Sequence, residues 1–437
     1  MTLKPFPVYR DSGIEWVGPI PSDWRSLPFF AAVRERSEKN TGLKEGNLLS
    51  LSYGKIVRKD MSSNDGLLPE SFETYQIIRP SDVVFRLTDL QNDKRSLRSA
   101  IAHEQGIITS AYLTVTPLKH DPAYFAYLMR SYDLQKVFYS MGGGLRQSMK
   151  FDDMKHLPMV TPPLEVQHQI ADYLDAHTAR IDALIGKQEQ LIETLAERRQ
   201  AVISHTVTKG LDPNAPMKDS GVDWLGSIPE SWTASRLKHE AVVQSGLTLG
   251  KTVPLDEGVE LPYLRVANVQ TSGVNLDEVK TVLVDRTEWT KYRLRNGDVL
   301  MTEGGDIDKL GRGCLWSNEI DPCVHQNHVF AVRCSRRIHS RLLVYFLDAQ
   351  VARNYFRMTA KKTTNLASTN STTLGNLPLA LPDISDQEQI VEYLDRETSK
   401  LDALSTKARE MIDILKERRQ ALISAAVTGK IDVRGLA

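Results

Sequence analysis

The chain is poor in cysteine. Three in 437 residues give no disulfide framework, which points to a reducing compartment and a cytoplasmic location. Long apolar runs are missing too: no stretch approaches the ~18 residues that cross a bilayer. The opening MTLKPFPVYRDSG lacks the apolar core of a signal peptide. Neither charge is in surplus, since 55 basic and 55 acidic side chains give a formal net charge of zero. That balance argues against a uniformly basic nucleic-acid binder, but not against charge segregated by face. Nucleotide and metal sites are short of parts. GLTLGKT (246–252) has three residues between its glycines where a phosphate loop has four, so its cradle is one amide short. Cys314, Cys323, His325, His328 and Cys334 crowd together without a close cysteine pair, so buried free thiols are expected there and no metal.

What the chain does have, it has twice. Residues 11–24, DSGIEWVGPIPSDW, return at 219–232 as DSGVDWLGSIPESW. A longer segment, 157–212, aligns without a gap to 377–432, with about half the positions identical. The offset is 208 residues at the tag and 220 at the long segment, so the second intervening block is longer by twelve. The blocks themselves show little mutual similarity. A duplicated frame thus carries two divergent inserts.

The long segments read as helices with a coiled-coil seam. At intervals of seven, Ile170, His177, Leu184, Leu191 and Arg198 form one column, and Leu174, Ile181, Gln188, Leu195 and Val202 a second. The other copy gives Ile390, Glu397, Leu404, Met411, Arg418 and Leu394, Leu401, Ala408, Leu415, Leu422. Period-seven apolar columns suit a helical partner, and the best partner available is the other copy. Pro162–Pro163 and Pro382 mark the starts. Each helix is expected to run about 38 residues, roughly 57 Å at 1.5 Å per residue. Antiparallel pairing would put the blocks at opposite ends, and a register centred between the repeats would set Arg198 beside Asp395 and Arg418 beside Asp175. The first helix leaves through the second tag, so symmetry assigns the first tag to the end of the second helix. Trp16, Trp24, Trp224 and Trp232 are then expected to bury aromatic area at equivalent corners.

The expected fold is α+β: two globular mixed α/β domains separated by two long antiparallel coiled-coil helices, as a pseudo-twofold repeat. The expected organisation is a tag at 1–25 packing near the C-terminus, a first domain at 26–155 and a helical segment at 156–206. A linker with the second tag follows at 207–235, then a second domain at 236–372, a second helical segment at 373–428 and a tail at 429–437.

The quoted tags resemble the specificity subunits of type I restriction–modification systems, as do PPLEVQHQIADYLD, ERRQAVISHTVTKG, PDISDQEQIVEYLD and ERRQALISAAVTGK. The resemblance covers the whole chain in the right order. One departure is LPDISDQEQ, where that family usually shows a double proline. The resemblance implies that each divergent block is a target recognition domain reading half of a bipartite site in double-stranded DNA. It implies that the helices set the spacer and dock two methyltransferase subunits, which restriction (nuclease and translocase) subunits then join. No catalysis and no cofactor are expected of the chain itself: TPPL (161–164) has neither the polar first residue nor the aromatic of an adenine methyltransferase loop, so base flipping falls to a partner.

On that reading the DNA-facing candidates lie in polar, cation-bearing stretches. In the first block Lys55, Arg58, Lys59, Lys94, Arg95 and Arg98 suit phosphates. Gln91 and Asn92 suit adenine edges and Arg86 guanine. Arg146 and Gln147 stand beside the glycine run of MGGGLRQSM. The second block offers Lys309, Arg312, Gln326, Asn327, Lys361, Lys362 and Asn365.

Overall fold

The computed structural model describes residues 4–60, 69, 71–90, 97–141, 148–250, 253–254, 256–287, 289–307, 310–362 and 367–436. The chain forms two compact units: 1–189 with 409–437, and 190–408. Four helices organise them: α1 (Pro122–Leu134), α2 (Leu164–Lys209), α3 (Ser340–Asp348) and α4 (Ile384–Val427). Among the described residues, no helix is long and apolar enough to cross a membrane.

In the first unit β1 (Val33–Arg36), β2 (Val83–Phe85), β3 (Ser99–Ile101) and β4 (Leu113–Pro117) make an antiparallel sheet in the order β1-β4-β2-β3. In the second, β5 (Ala241–Ser245), β6 (Val299–Thr302), β7 (Gly313–Leu315) and β8 (Val329–Cys334) make one in the order β5-β8-β6-β7. The strand order is the same in two blocks whose sequences look unrelated. A short shared phrase underlies it, RPSDVVF (79–85) and RNGDVLM (295–301). Asp82 and Asp298 are each 1% exposed and accept the N–H three residues back, Arg79 and Arg295, both at 2.8 Å. The intervening residue turns through positive φ, Ser81 at 75° and Gly297 at 89°. A buried carboxylate needs a cation, and an arginine of the same sheet supplies it, Arg36 at 2.6 Å and Arg333 at 2.8 Å.

Each sheet packs a helix against the start of a long helix. Asp121 caps α1 by accepting from the Tyr124 N–H, with Pro122 at the first helical position where no donor is needed. The α1 side chains Tyr124, Phe125, Leu128 and Met129 close one core with Phe29, Phe85, Ile170 and Leu174. In the second unit the α3 residues Leu342, Leu343 and Phe346 do the same with Val299, Val332, Ile390 and Leu394.

The long helices have 46 and 44 residues, longer than expected. They pair antiparallel in both units. In the first, Arg419 forms an ion pair with Asp182, and the Tyr124 hydroxyl bridges the Val160 and Val427 carbonyls. In the second, Arg199 meets Asp402 at 3.2 Å. These two pairs are the same contact, displaced by the 220-residue repeat.

The expected seam needs one correction. Ile170, Leu174, Ile181, Leu195, Ile390, Leu394, Leu401 and Leu415 are buried as read, but Leu184, Leu191, Leu404 and Met411 are 42%, 43%, 49% and 46% exposed. Ile185, Ala408 and Ile412 are buried in their neighbourhood. The second column holds, whereas the first runs one residue further on. The cause is local. Around Ile170 the buried face is wide, since Ala171, Tyr173 and Leu174 are also covered by the globular core. Counting by sevens from that broad face lands on the wrong member of the apolar doublets Leu184–Ile185, Leu191–Ile192 and Met411–Ile412. The same slip moves the seam arginines from 198 and 418 to 199 and 419 and overturns the expected ion pairs. Asp395 instead accepts from Arg341 and Tyr345, and Asp175 from the Tyr127 hydroxyl.

The tags close on the ends of the long helices. Lys4 bridges Asp432, the Tyr9 hydroxyl donates to the Gly429 carbonyl at 2.9 Å, and Trp24, 1% exposed, lies over Gly429. In the other unit Trp232, 4% exposed, lies over Gly210. Both glycines have left-handed backbone, φ 72° and 80°, which ends a helix without a Cβ clash. Trp16 and Trp224 stand edge-on to Tyr132 and Tyr355, but Trp224 stays 38% exposed.

The seam assignment is tested by paired truncations. Ile185→Ala should cost about 2–3 kcal/mol, as a buried isoleucine does, whereas Leu184→Ala should fall within about 0.5–1 kcal/mol. Denaturant unfolding of the two variants measures both, and the reverse ranking would restore the original column.

Candidate nucleic-acid interface

In each block two of the candidate stretches meet. In the first unit the segment after β2 meets the segment before the final short helix, where the Met149 N–H donates to the Leu87 carbonyl at 2.9 Å. In the second unit the Thr369 N–H donates to the Glu303 carbonyl at 2.8 Å. Leu87 and Glu303 follow the shared phrase at the same distance, and Met149 and Thr369 differ by the 220-residue repeat. Two pairs of stretches chosen for composition thus occupy corresponding positions in two sheets.

The second unit builds this rim as a three-stranded ribbon. Gly304 and Gly305 pair with Ser368 and Ala367, which pair in turn with Lys361 and Lys362. Both lysines are exposed. The 325–330 loop joins the same rim: the Glu303 N–H donates to the His328 carbonyl, and the His328 ring lies 2.6 Å from the Glu303 carboxylate. Gln326 is half-buried and accepts from the Val266 N–H, while the Asn327 amide contacts the His328 ring. Arg312 is half-buried and lines a separate cavity with Arg199, Gln350 and Arg353.

In the first unit a hairpin stands beside the sheet, Leu49–Ser52 paired with Lys55–Arg58. Lys55 is 74% exposed and 3.9 Å from Asp182, and Lys59 is exposed just beyond the strand. Arg58 is clamped by Glu104, whose hydrogen bond raises the guanidinium pKa while lowering that of the carboxyl. Arg86 is half-buried, its N–H on the Arg98 carbonyl. Arg98 is not a surface cation: it is fully buried, with its guanidinium on the Thr88 and Asp89 carbonyls and the Tyr139 hydroxyl and its N–H on Asp133. The polar setting of FRLTDLQNDKRSLRSA suggested phosphate contact, but the fold spends this arginine on orphan loop carbonyls. Gln91, Asn92, Lys94, Arg95, Arg146, Gln147, Lys309 and Asn365 lie outside the described residues.

Sequence reasoning passed over Tyr53, which is 86% exposed at the hairpin tip. It lines a cavity of about 470 Å³ with Lys55, His103, Arg130, Asp182 and Arg419. Its signal was an aromatic at a two-residue turn, in SYGK.

The cysteine–histidine cluster is packed chemistry. Burial pushes the Cys314 and Cys323 thiols up to about 12 and holds His325 down to about 4, so all three are neutral near pH 7. His325 Nδ1 lies 2.7 Å from the Val329 carbonyl. Among the described residues no group of three or more His, Cys, Asp or Glu could hold a metal. The first glycine of GLTLGKT serves close backbone approach, since a Cβ at Gly246 would lie 2.0 Å from the His325 carbonyl oxygen.

Fold and rim together define a class: an internally duplicated protein with two compact units, each joining a mixed α/β domain to paired segments of two long helices. The type I restriction modification DNA specificity domain matches residues 100–194. The StySPI specificity subunit of Salmonella potsdam is 23% identical over 95% of this chain and 90% of its own. The MjaVIII specificity subunit of Methanocaldococcus jannaschii is 26% identical over 71% of each. A chain from a solved structure of type I R-M complex assembly and conformational transition superposes with a TM-score of 0.69, at 17% identity, covering 93% of this chain and 98% of that one. The HsdS subunit from Thermoanaerobacter tengcongensis gives 0.51 at 18%, covering 94% and 98%. By sequence along most of its length and by fold, the chain is similar to the specificity subunits of type I restriction–modification systems.

The structural role of Arg98 is checked by Arg98→Met. Stripping partners from buried carbonyls should cost roughly 2–4 kcal/mol, read as a lowered thermal midpoint. A variant of unchanged stability would return Arg98 to the candidate DNA contacts.

Proposed function

We propose that each recognition domain reads one half of an asymmetric bipartite site, with the long helices setting the unread spacer and docking two methyltransferase subunits. Restriction subunits then join that core, in the cytoplasm. The observation that carries this reading is the matched sheet order behind unmatched rims: one scaffold used twice, with different side chains at corresponding positions. Two different readers on one chain favour an asymmetric target, where a homodimer of identical readers favours a palindrome. The domain limits at 26–155 and 236–372 delimit these readers. Lys55, Lys59, Lys361 and Lys362 suit phosphate contacts that position without specifying, and Arg86, Gln326 and Asn327 suit base edges. The exposed Leu184, Leu191, Leu404, Met411 and Ile414 give the long helices an apolar outer stripe suited to the methyltransferase subunits. The chain supplies choice and the partners supply chemistry.

Long-read methylation mapping of the native host, with and without this gene, tests the proposal. Loss of one bipartite, asymmetric N6-methyladenine motif is expected. An unchanged methylome, or loss of a palindrome, would contradict it.

A further inference from the structure

We propose that Tyr53 is a DNA-reading residue of the first recognition domain, its ring presented to a base-pair step of the half-site by a strained and clamped turn. This inference rests on the half-site reading above and names an element of it.

Ser52 pairs with Lys55, so Tyr53 and Gly54 alone make the turn. Both have positive φ, 47° and 74°. Two central residues with positive φ define the hairpin turn that favours Asn-Gly, because asparagine tolerates the left-handed region and glycine enters it freely. A bulky aromatic at the first position is an outlier. Among the described residues no core packing compensates for it, because the ring is 86% exposed. The second position, by contrast, is dictated by the fold. Arg130 Nη2 donates to the Gly54 carbonyl at 2.7 Å and the Ser99 carbonyl at 2.6 Å. A Cβ at Gly54 would lie 2.5 Å from that guanidinium. The largely buried Arg130 therefore locks the tip to β3, and the locked tip holds an aromatic outwards beside Lys55. Strain that persists in a fixed turn, on a ring with no hydrogen bond or ring contact among the described residues, points to an external partner. Aromatic rings at such tips contact bases and sugars through a flat apolar face.

The experiment uses the full chain co-purified with its methyltransferase subunits and a duplex carrying the motif found by methylation mapping. Tyr53→Asn installs the residue the turn prefers. The thermal midpoint should hold or rise, while affinity for the duplex should fall about tenfold, the scale of one lost aromatic–base contact. Because the ring is uncharged, the loss should be the same at low and high salt. Lys55→Ala should instead reduce the slope of log affinity against log salt by about one. Affinity within twofold of the parent complex would overturn the inference. So would a lowered midpoint, since the ring would then be held by the fold. A parent complex that binds no duplex would instead overturn the half-site reading beneath it.

Discussion

A buried glutamine at the start of each long helix fixes the mixed α/β domain to the helix that carries it, and the rest of each unit is arranged around that bolt. Gln167 is 1% exposed and Gln387 0%. Gln167 accepts from the Asp121 N–H at 3.0 Å and donates to the Pro162 carbonyl at 2.8 Å. Gln387 accepts from the His339 N–H at 2.8 Å and donates to the Pro382 and Arg337 carbonyls. Asp121 and His339 are themselves the N-caps of α1 and α3. One amide thus reads the first residue of the domain's helix and the proline turn of the long helix together. An unsatisfied buried amide costs about 1–3 kcal/mol, so any rotation of the domain against its helix carries that penalty at once. If the domains read DNA as proposed, this stiffness matters more than its contribution to stability.

A second set of bonds, one turn and more along, reinforces the first. The Tyr127 hydroxyl reaches Asp175 at 2.7 Å and Thr178 at 3.1 Å, and Tyr345 makes the same pair of contacts with Asp395 and Thr398. Burial raises both phenols, Tyr127 well above its usual range and Tyr345 in the same direction, so they remain donors throughout the physiological window. Two fixed points separated along a helix define an orientation, where one would leave a hinge.

Much of this was legible in the sequence because repetition is legible. The doubled tags located the helix ends at which Trp24 and Trp232 now lie, and the period-seven columns located the seam to within one residue. The missing residue of register lay in doublets such as Leu184–Ile185, where hydrophobicity cannot choose and only the neighbouring surface does. The domains were harder. Their common sheet rests on hydrogen bonds between backbones, which tolerate almost any apolar pattern, so RPSDVVF and RNGDVLM are among the few traces of kinship. The site was hardest of all. Arg98 and Lys55 have equal claims as cations in polar stretches, and burial alone separates them. Tyr53 carried no charge and drew no notice until its backbone conformation set it apart.

The two units diverge where the shared bolts leave freedom, and the divergence explains the neutral chain. At matched positions on α1 and α3, Ala123 stands against Arg341, and Arg130 against Asp348. Asp348 gathers Arg199 and Arg353 into an ion-pair cluster, whereas Arg130 clamps the tip of the Leu49–Arg58 hairpin. Other arginines are likewise consumed inside the fold: Arg36 on Asp82, Arg58 on Glu104, Arg293 on Asp321 and Arg333 on Asp298. A net charge summed over the chain therefore includes arginines that are already paired within each unit.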